Sequence, residues 1–262
     1  MTTLHAMHLK GSQTTSCNEP CSAFASVSVV SAGTLYAVIP AAGVGSRMNS
    51  DTPKQYLNVA GASILTHTID RLLQLTALKR IVVVLDKSAY EQQSLMFTEN
   101  PLVDTCIGGA SRAESVRNGL LHLASGVAPG SRVMVHDAAR PCVRVAEINC
   151  LISEVGDDPN GGLLAMPVVD TIKRADKHMR TTETIDRTTL WRAATPQLFP
   201  FAALFDALNK ALEEGIEITD EASAMQYSGY SPKLVECSAD NIKVTTPADL
   251  VLAEQLLSAQ AV

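Results

Sequence analysis

Leu35-Tyr36-Ala37-Val38-Ile39-Pro40-Ala41-Ala42-Gly43-Val44-Gly45-Ser46-Arg47-Met48, followed by Pro53-Lys54-Gln55-Tyr56-Leu57, decides the fold. The apolar run Leu35 to Ile39 reads as a buried strand that ends at Pro40 and opens into a loop of small residues. Gly43 and Gly45 can take positive φ without steric cost. Such a loop lets several backbone N–H groups turn toward one anion. Arg47 and Lys54 add two cations to the same connection. A two-glycine loop alone would suit a plain strand-to-helix turn; the added cations favour a polyphosphate ligand.

Two standard phosphate loops are excluded. No Gly-x-x-x-x-Gly-Lys-Ser/Thr string occurs. A dinucleotide fingerprint needs Gly-x-Gly-x-x-Gly running into a helix; here Met48 holds the third glycine position and the loop continues to Pro53.

At 262 residues, 46% hydrophobic and 18% charged, the chain suits a single large α/β domain. No apolar run approaches the roughly 20 residues that span a bilayer, so a cytoplasmic protein without a membrane partner is expected. The net charge of -6 argues against non-specific nucleic-acid binding. Cysteines stand at 17, 21, 106, 142, 150 and 237. Four of them lie in or beside apolar runs, where a thiol packs as a small hydrophobe. Cys17-x-x-x-Cys21, with His5 and His8, matches no compact zinc motif. Residues 1–33, rich in Ser, Thr and Ala, read as a poorly ordered extension, and 34–260 as one domain.

From Ser63 onward strands alternate with helices. Leu65, Ile69, Leu72 and Leu73 share one helical face. Arg80 to Leu85 is a continuous apolar run, as in a strand covered on both sides. Leu102 to Ile107 reads as a strand, and Ser111-Arg112-Ala113-Glu114 as a capping box opening a helix. Ser131 to Val135 is a strand, Val145 to Val155 a helix, and Gly162 to Val168 a strand. This rhythm predicts a three-layer α/β/α sheet, mostly parallel, with ligands outside the carboxyl ends of its strands. The loops 41–54, 108–115 and 136–141 should therefore meet on one edge. Residues 169–191 break the rhythm as two polar extended segments, an exposed β-arm of the kind that packs on a second copy of the chain. Thr195 to Phe199 returns to the sheet. Helices over Phe201–Glu214 and up to Tyr227, a strand over Lys233–Cys237, and a last helix begun by Thr246-Pro247 complete the domain.

The strand-end loops offer Arg47, Lys54, Arg112, Arg140 and Lys243 as cations and Asp137 as an acid. His136 adjoins Asp137, but neighbours in an extended strand face opposite ways, so His136 reads as a packed histidine rather than a base. A cation-rich hollow with few bases suits phosphoryl or nucleotidyl transfer, where positioning and charge stabilisation do most of the catalysis.

Pro40-Ala41-Ala42-Gly43-x-Gly45-x-Arg47-Met48 with Pro53-Lys54-Gln55-Tyr56, His136-Asp137-Ala138-Ala139-Arg140-Pro141, Asp170-Thr171-x-Lys173, and Asp240-Asn241-Ile242-Lys243-Val244-Thr245 stand in that order. Together they resemble the 2-C-methyl-D-erythritol 4-phosphate cytidylyltransferase family over about residues 35–258. The resemblance implies a Rossmann-like nucleotidyltransferase sheet and transfer of CMP from CTP to methylerythritol phosphate, with Mg²⁺ on the triphosphate and pyrophosphate leaving. By the same likeness Arg47 and Lys54 stabilise the transition state, and Arg187 and Lys243 hold the methylerythritol phosphate. Asp137, Arg140, Thr171 and Thr195 line the substrate pocket, and Ala41, Ala42, Gly43, Gly109 and Ser115 the cytidine side. Protein ligands for Mg²⁺ stay unassigned, with Asp137 a candidate. A homodimer through the arm is implied, in which Arg187 completes the partner's site. Ala110 departs from the acidic residue some relatives carry there. Ribitol 5-phosphate cytidylyltransferase shares a similar first loop, and a non-catalytic nucleotide-binding module is the reading from another class.

Overall fold

The computed structural model describes residues 34–43, 52–97 and 99–260. The extension at 1–33 and Gly45, Arg47 and Met48 of the first loop lie outside them. The central sheet begins with β1 (Leu35–Pro40), flanked by β4 (Leu78–Leu85) and β6 (Arg132–Val135), both parallel to it. β5 (Val103–Ile107) extends it parallel to β4. On the other side come β10 (Trp191–Pro200), β7 (Gly162–Pro167) and β11 (Lys233–Glu236). The full order is β11-β7-β10-β6-β1-β4-β5. β10 runs antiparallel to both neighbours, so every other strand points the same way.

Successive strand residues face opposite sides of a sheet, and both sides are covered. Ala37, Ile39, Ile81, Val83 and Leu85 face α1 (Ile64–Leu73), α2 (Lys87–Phe97) and α4 (Val145–Val155) in one core. Tyr36, Val38, Val82 and Val84 face α3 (Arg112–Leu123), α5 (Phe201–Glu213) and α6 (Glu221–Tyr227) in the other. This is the expected three-layer sandwich, and it explains why the strands read as unbroken apolar runs. A smaller core seats α7 (Pro247–Gln260) on Val59, Ile64, Cys142 and Val244. It holds the chain next to Lys243 against the main body.

Helix starts follow the chemistry of their caps. Ser63 accepts from the N–H of Thr66 at 3.0 Å, and the Ser111/Glu114 box is fully formed. Asp249 receives the N–H groups of Thr245 and Thr246 at 2.9 and 2.8 Å. α7 continues to Gln260, one turn past the expected end near Leu257. A hairpin of β2 (Asn58–Val59) and β3 (Ala62–Ser63), turning at Ala60 and Gly61 with φ of 45° and 90°, went unread; two-residue strands are too short to show alternation. The arm is a separate pair, β8 (Ile172–Ala175) and β9 (Thr181–Ile185), nearly all exposed. Its cross-strand Arg174–Glu183 contact at 2.9 Å is solvated and adds little.

α3 crosses β1 and β4 at a residue without a side chain. A Cβ on Gly119 would stand 2.7 Å from a methyl of Val38 and 2.9 Å from one of Val84. Gly119→Val should therefore destabilise the protein by about 1–3 kcal/mol through overpacking, read as a lowered urea midpoint at unchanged slope.

Candidate active site

The carboxyl ends of β1, β5 and β6 open into one cavity of about 230 Å³. Its floor is Pro40 to Gly43, one wall is Gly109 to Arg112 with Ser115, another is Asp137 to Ala139, and Lys54, Gln55 and Lys243 close it. The three loops expected to converge do so.

The floor is held from below. Ala41 donates its N–H to the Val84 carbonyl at 2.8 Å, continuing the ladder past Pro40. Lys54 and Gln55 lie on a single 3-10 turn, Lys54–Tyr56. The buried Gln55 amide donates to the carbonyls of Ala41 and Gly43 at 2.7 and 3.0 Å, fixing the backbone of the small-residue loop. Gly108 and Gly109, where one wall begins, have no space for a side chain. A Cβ on Gly108 would meet the Ala42 Cβ at 2.7 Å, and one on Gly109 would meet the Glu114 Cβ at 2.4 Å. The Ser115 hydroxyl donates to the Ser111 carbonyl and accepts from the Gly109 N–H, so it shapes the loop. Ala110 lies on the lip, its N–H on the Glu114 carboxylate at 2.6 Å.

Charge is centred on Asp137. Its Oδ1 accepts from Nε and an Nη of Arg112 at 3.2 and 3.0 Å. Its Oδ2 lies 2.8 Å from Lys243 Nζ and 3.6 Å from Arg140 Nε. Burial alone would raise its pKa; Arg112 and then Lys243 outweigh that and hold the carboxyl far below the usual range. Arg112 is fastened at its other side to Glu221, a fully buried carboxylate, at 2.6 and 3.1 Å. Lys54 donates to the Val244 carbonyl at 3.0 Å, and Val244 N–H bonds the Ala139 carbonyl. The loops of Lys54, Asp137 and Lys243 are thereby tied together.

Other expected residues stand elsewhere. Arg140 is buried behind Asp137, its guanidinium on the Asn241 carbonyl at 2.6 Å, where it supports the Lys243 loop. The Thr195 hydroxyl accepts the Asp137 N–H and meets His136 Nδ1, both at 3.0 Å. Neither Arg140 nor Thr195 lines the cavity. Thr171 and Arg187 are on the exposed arm, with Arg187 donating to the Val169 carbonyl. Arg47 lies outside the described residues. The sequence reading assigned no role to Gln55 or Glu221, and offered Arg112 only as one of the strand-end cations. Arg112 carried a signal, as a strand-end cation beside a helix cap; nothing in the sequence marked Glu221 as buried.

His136 is packed, as its position suggested. The Arg140 carbonyl, 3.1 Å from Nε2, can only accept, so Nε2 carries the ring proton and Nδ1 of the neutral ring accepts from the Thr195 hydroxyl. Burial, opposed by Asp137, pulls its pKa from 6.5 down to about 4.

A cation-rimmed hollow at the ends of a mostly parallel α/β sheet, with no histidine among its described lining residues, fits a nucleotidyltransferase. Residues 35–259 match the sequence profile of the 2-C-methyl-D-erythritol 4-phosphate cytidylyltransferase family. A protein of that name from Pseudomonas putida is 49% identical over 82% of this chain and 92% of its own length. One from Vibrio vulnificus is 47% identical over 86% and 94%. The crystal structure of a Francisella tularensis protein of the same name superposes with a TM-score of 0.75, 32% identity, and coverage of 86% and 100%. The chain belongs to the 2-C-methyl-D-erythritol 4-phosphate cytidylyltransferase family.

A neutral buried histidine makes stability depend on pH. The unfolded ring titrates near 6.5 and the folded one near 4, so its share of stability is complete above pH 6.5 and is lost as pH falls toward 4. That share is about 3 kcal/mol at most. His136→Asn should flatten the fall in unfolding free energy between pH 6.5 and 4, measured by urea titration at each pH.

Proposed function

We propose that this chain transfers CMP from CTP to 2-C-methyl-D-erythritol 4-phosphate, giving 4-diphosphocytidyl-2-C-methyl-D-erythritol and pyrophosphate, a step of non-mevalonate isoprenoid biosynthesis. The observation that carries it is the cavity itself: a bare backbone floor with Lys54, Arg112 and Lys243 at its rim, in a chain of this family. The family match favours methylerythritol phosphate over ribitol 5-phosphate, and an enzyme over a silent binding module.

An oxygen of the sugar phosphate attacks the α-phosphorus of CTP in line. The new P–O bond forms from that oxygen's electron pair as the bond to the β-phosphate breaks, and pyrophosphate carries the pair away. The nucleophile is already anionic, so no base is needed. What the protein supplies is fixed positive charge where negative charge gathers. We assign this to Arg47 and Lys54, and the grip on the sugar phosphate to Lys243 with Arg187. Within one chain Arg187 stays on the arm, which supports a homodimer in which each arm reaches the other subunit's cavity, with Thr171 beside it.

Mg²⁺ fits as part of the substrate. Among the described residues no group of three or more His, Cys, Asp or Glu could hold a metal, and both oxygens of Asp137, the acid lining the cavity, already face cations. Mg²⁺ binds readily through phosphates with few protein ligands, so the ion would enter on the triphosphate, with Asp137 the carboxylate among the described lining residues that could assist. Among the described residues the free thiols Cys106, Cys142 and Cys237 suit a reducing compartment and support a cytoplasmic location. Among the described residues no helix is long and apolar enough to cross a membrane.

Purified protein should release pyrophosphate with CTP and methylerythritol phosphate but not with CTP and ribitol 5-phosphate; the reverse would assign the other substrate. Lys54→Ala should lower kcat by about 10²-fold, the loss expected for one preorganised donor, with the circular dichroism spectrum unchanged.

A further inference from the structure

Glu221 has no part in the chemistry above, yet its surroundings are those of a site residue. It is the first residue of α6, immediately after the Asp220 cap. Gln197 of β10 pins that helix start twice, donating to Asp220 at 2.9 Å and accepting the Ala222 N–H at 2.8 Å. The carboxylate is fully buried, and both of its oxygens face the Arg112 guanidinium. A hydrophobic side chain would fill the same position without the penalty of desolvating a charge, so packing does not account for an acid here.

The bonds form a chain. Glu221 takes one edge of the Arg112 fork, and the other edge takes Oδ1 of Asp137. Oδ2 of Asp137 takes Lys243. Arg112 is the only member with two anionic partners. Freed from Glu221, it would turn to chelate both oxygens of Asp137, because a guanidinium matches a carboxylate in pairs. Lys243 would then share Oδ2 with the guanidinium, whose positive charge pushes the ammonium away.

We infer that Glu221 is a positioning residue for the reaction: by holding Arg112 it leaves Oδ2 of Asp137 to Lys243 and so sets where the Lys243 ammonium stands. This rests on the cytidylyltransferase reading. Glu221 is not among the residues lining the cavity, so it acts through Arg112 alone.

Glu221→Gln keeps the volume and removes the charge. The expected result is a rise in the KM for the sugar phosphate of about tenfold, since misplacement of roughly 1 Å is costly in such sites, with the KM for CTP within twofold of wild type. A purely structural role would lower the active fraction and move neither KM. In a double-mutant cycle with Arg112→Lys, the double variant should be no slower than R112K alone; losses that multiply, or unchanged kinetics in E221Q, overturn the proposal. A crystal structure of E221Q gives a readout without activity. The Lys243–Asp137 contact should open beyond 4 Å, and a contact still at 2.8 Å overturns the assignment. If wild type releases no pyrophosphate, the enzymatic reading fails while this structural arm still decides the bond chain. If E221Q does not fold, R112K should show the same KM shift, and a normal KM there overturns the proposal.

Discussion

One buried carboxylate orders the cavity. Asp137 stands among Arg112, Lys243 and Arg140, and its own N–H is fixed by Thr195. Three of these contacts bring in other segments, the start of α3, the loop before α7 and β10, while Arg140 belongs to the loop of Asp137 itself. Cations that must converge on a polyphosphate repel one another when the ligand is away. A shared anion among them removes that conflict and leaves Arg112 and Lys243 at the cavity wall. The depressed pKa of the Asp137 carboxyl has the same cause, since burial opposes the charged form and the cations reverse the balance.

The remaining wall is backbone. Ala41 to Gly43 form its floor, and Gly108 and Gly109 lie so close to their neighbours that a Cβ at either would collide. Gln55 and Ser115 spend their polar atoms on this backbone rather than on a ligand, keeping a bare hollow in one shape. The division is consistent: charged groups come from helix starts and late loops, and the hollow comes from small residues after strands.

The sandwich was legible because both faces of its strands are covered, which turns them into plain apolar runs, and because Ser111 and Asp220 mark helix starts in their own chemistry. The cavity was legible through Lys54, Asp137 and Lys243, which stand inside the strings of residues that carry the family resemblance. Arg140 belongs to one of these strings and Thr195 to the strand that returns to the sheet, but proximity in sequence does not say which way a side chain turns. Arg140 faces the Asn241 carbonyl and Thr195 faces the backbone of Asp137. Glu221 was invisible for the opposite reason: an acid after a helix cap is ordinarily solvated, and only the packing of α6 against β10 encloses it.

The close approach at Gly119 also sets an angle. α3 rests on β1 and β4 there, and Arg112 lies two turns nearer the cavity on the same rod, a distance of about 10 Å at 1.5 Å per residue. Tilting the rod about that fulcrum by roughly 5° would swing the guanidinium by about 1 Å, enough to part a hydrogen bond from its acceptor. The absence of one methyl group deep in the interior thus governs the aim of a charge at the surface.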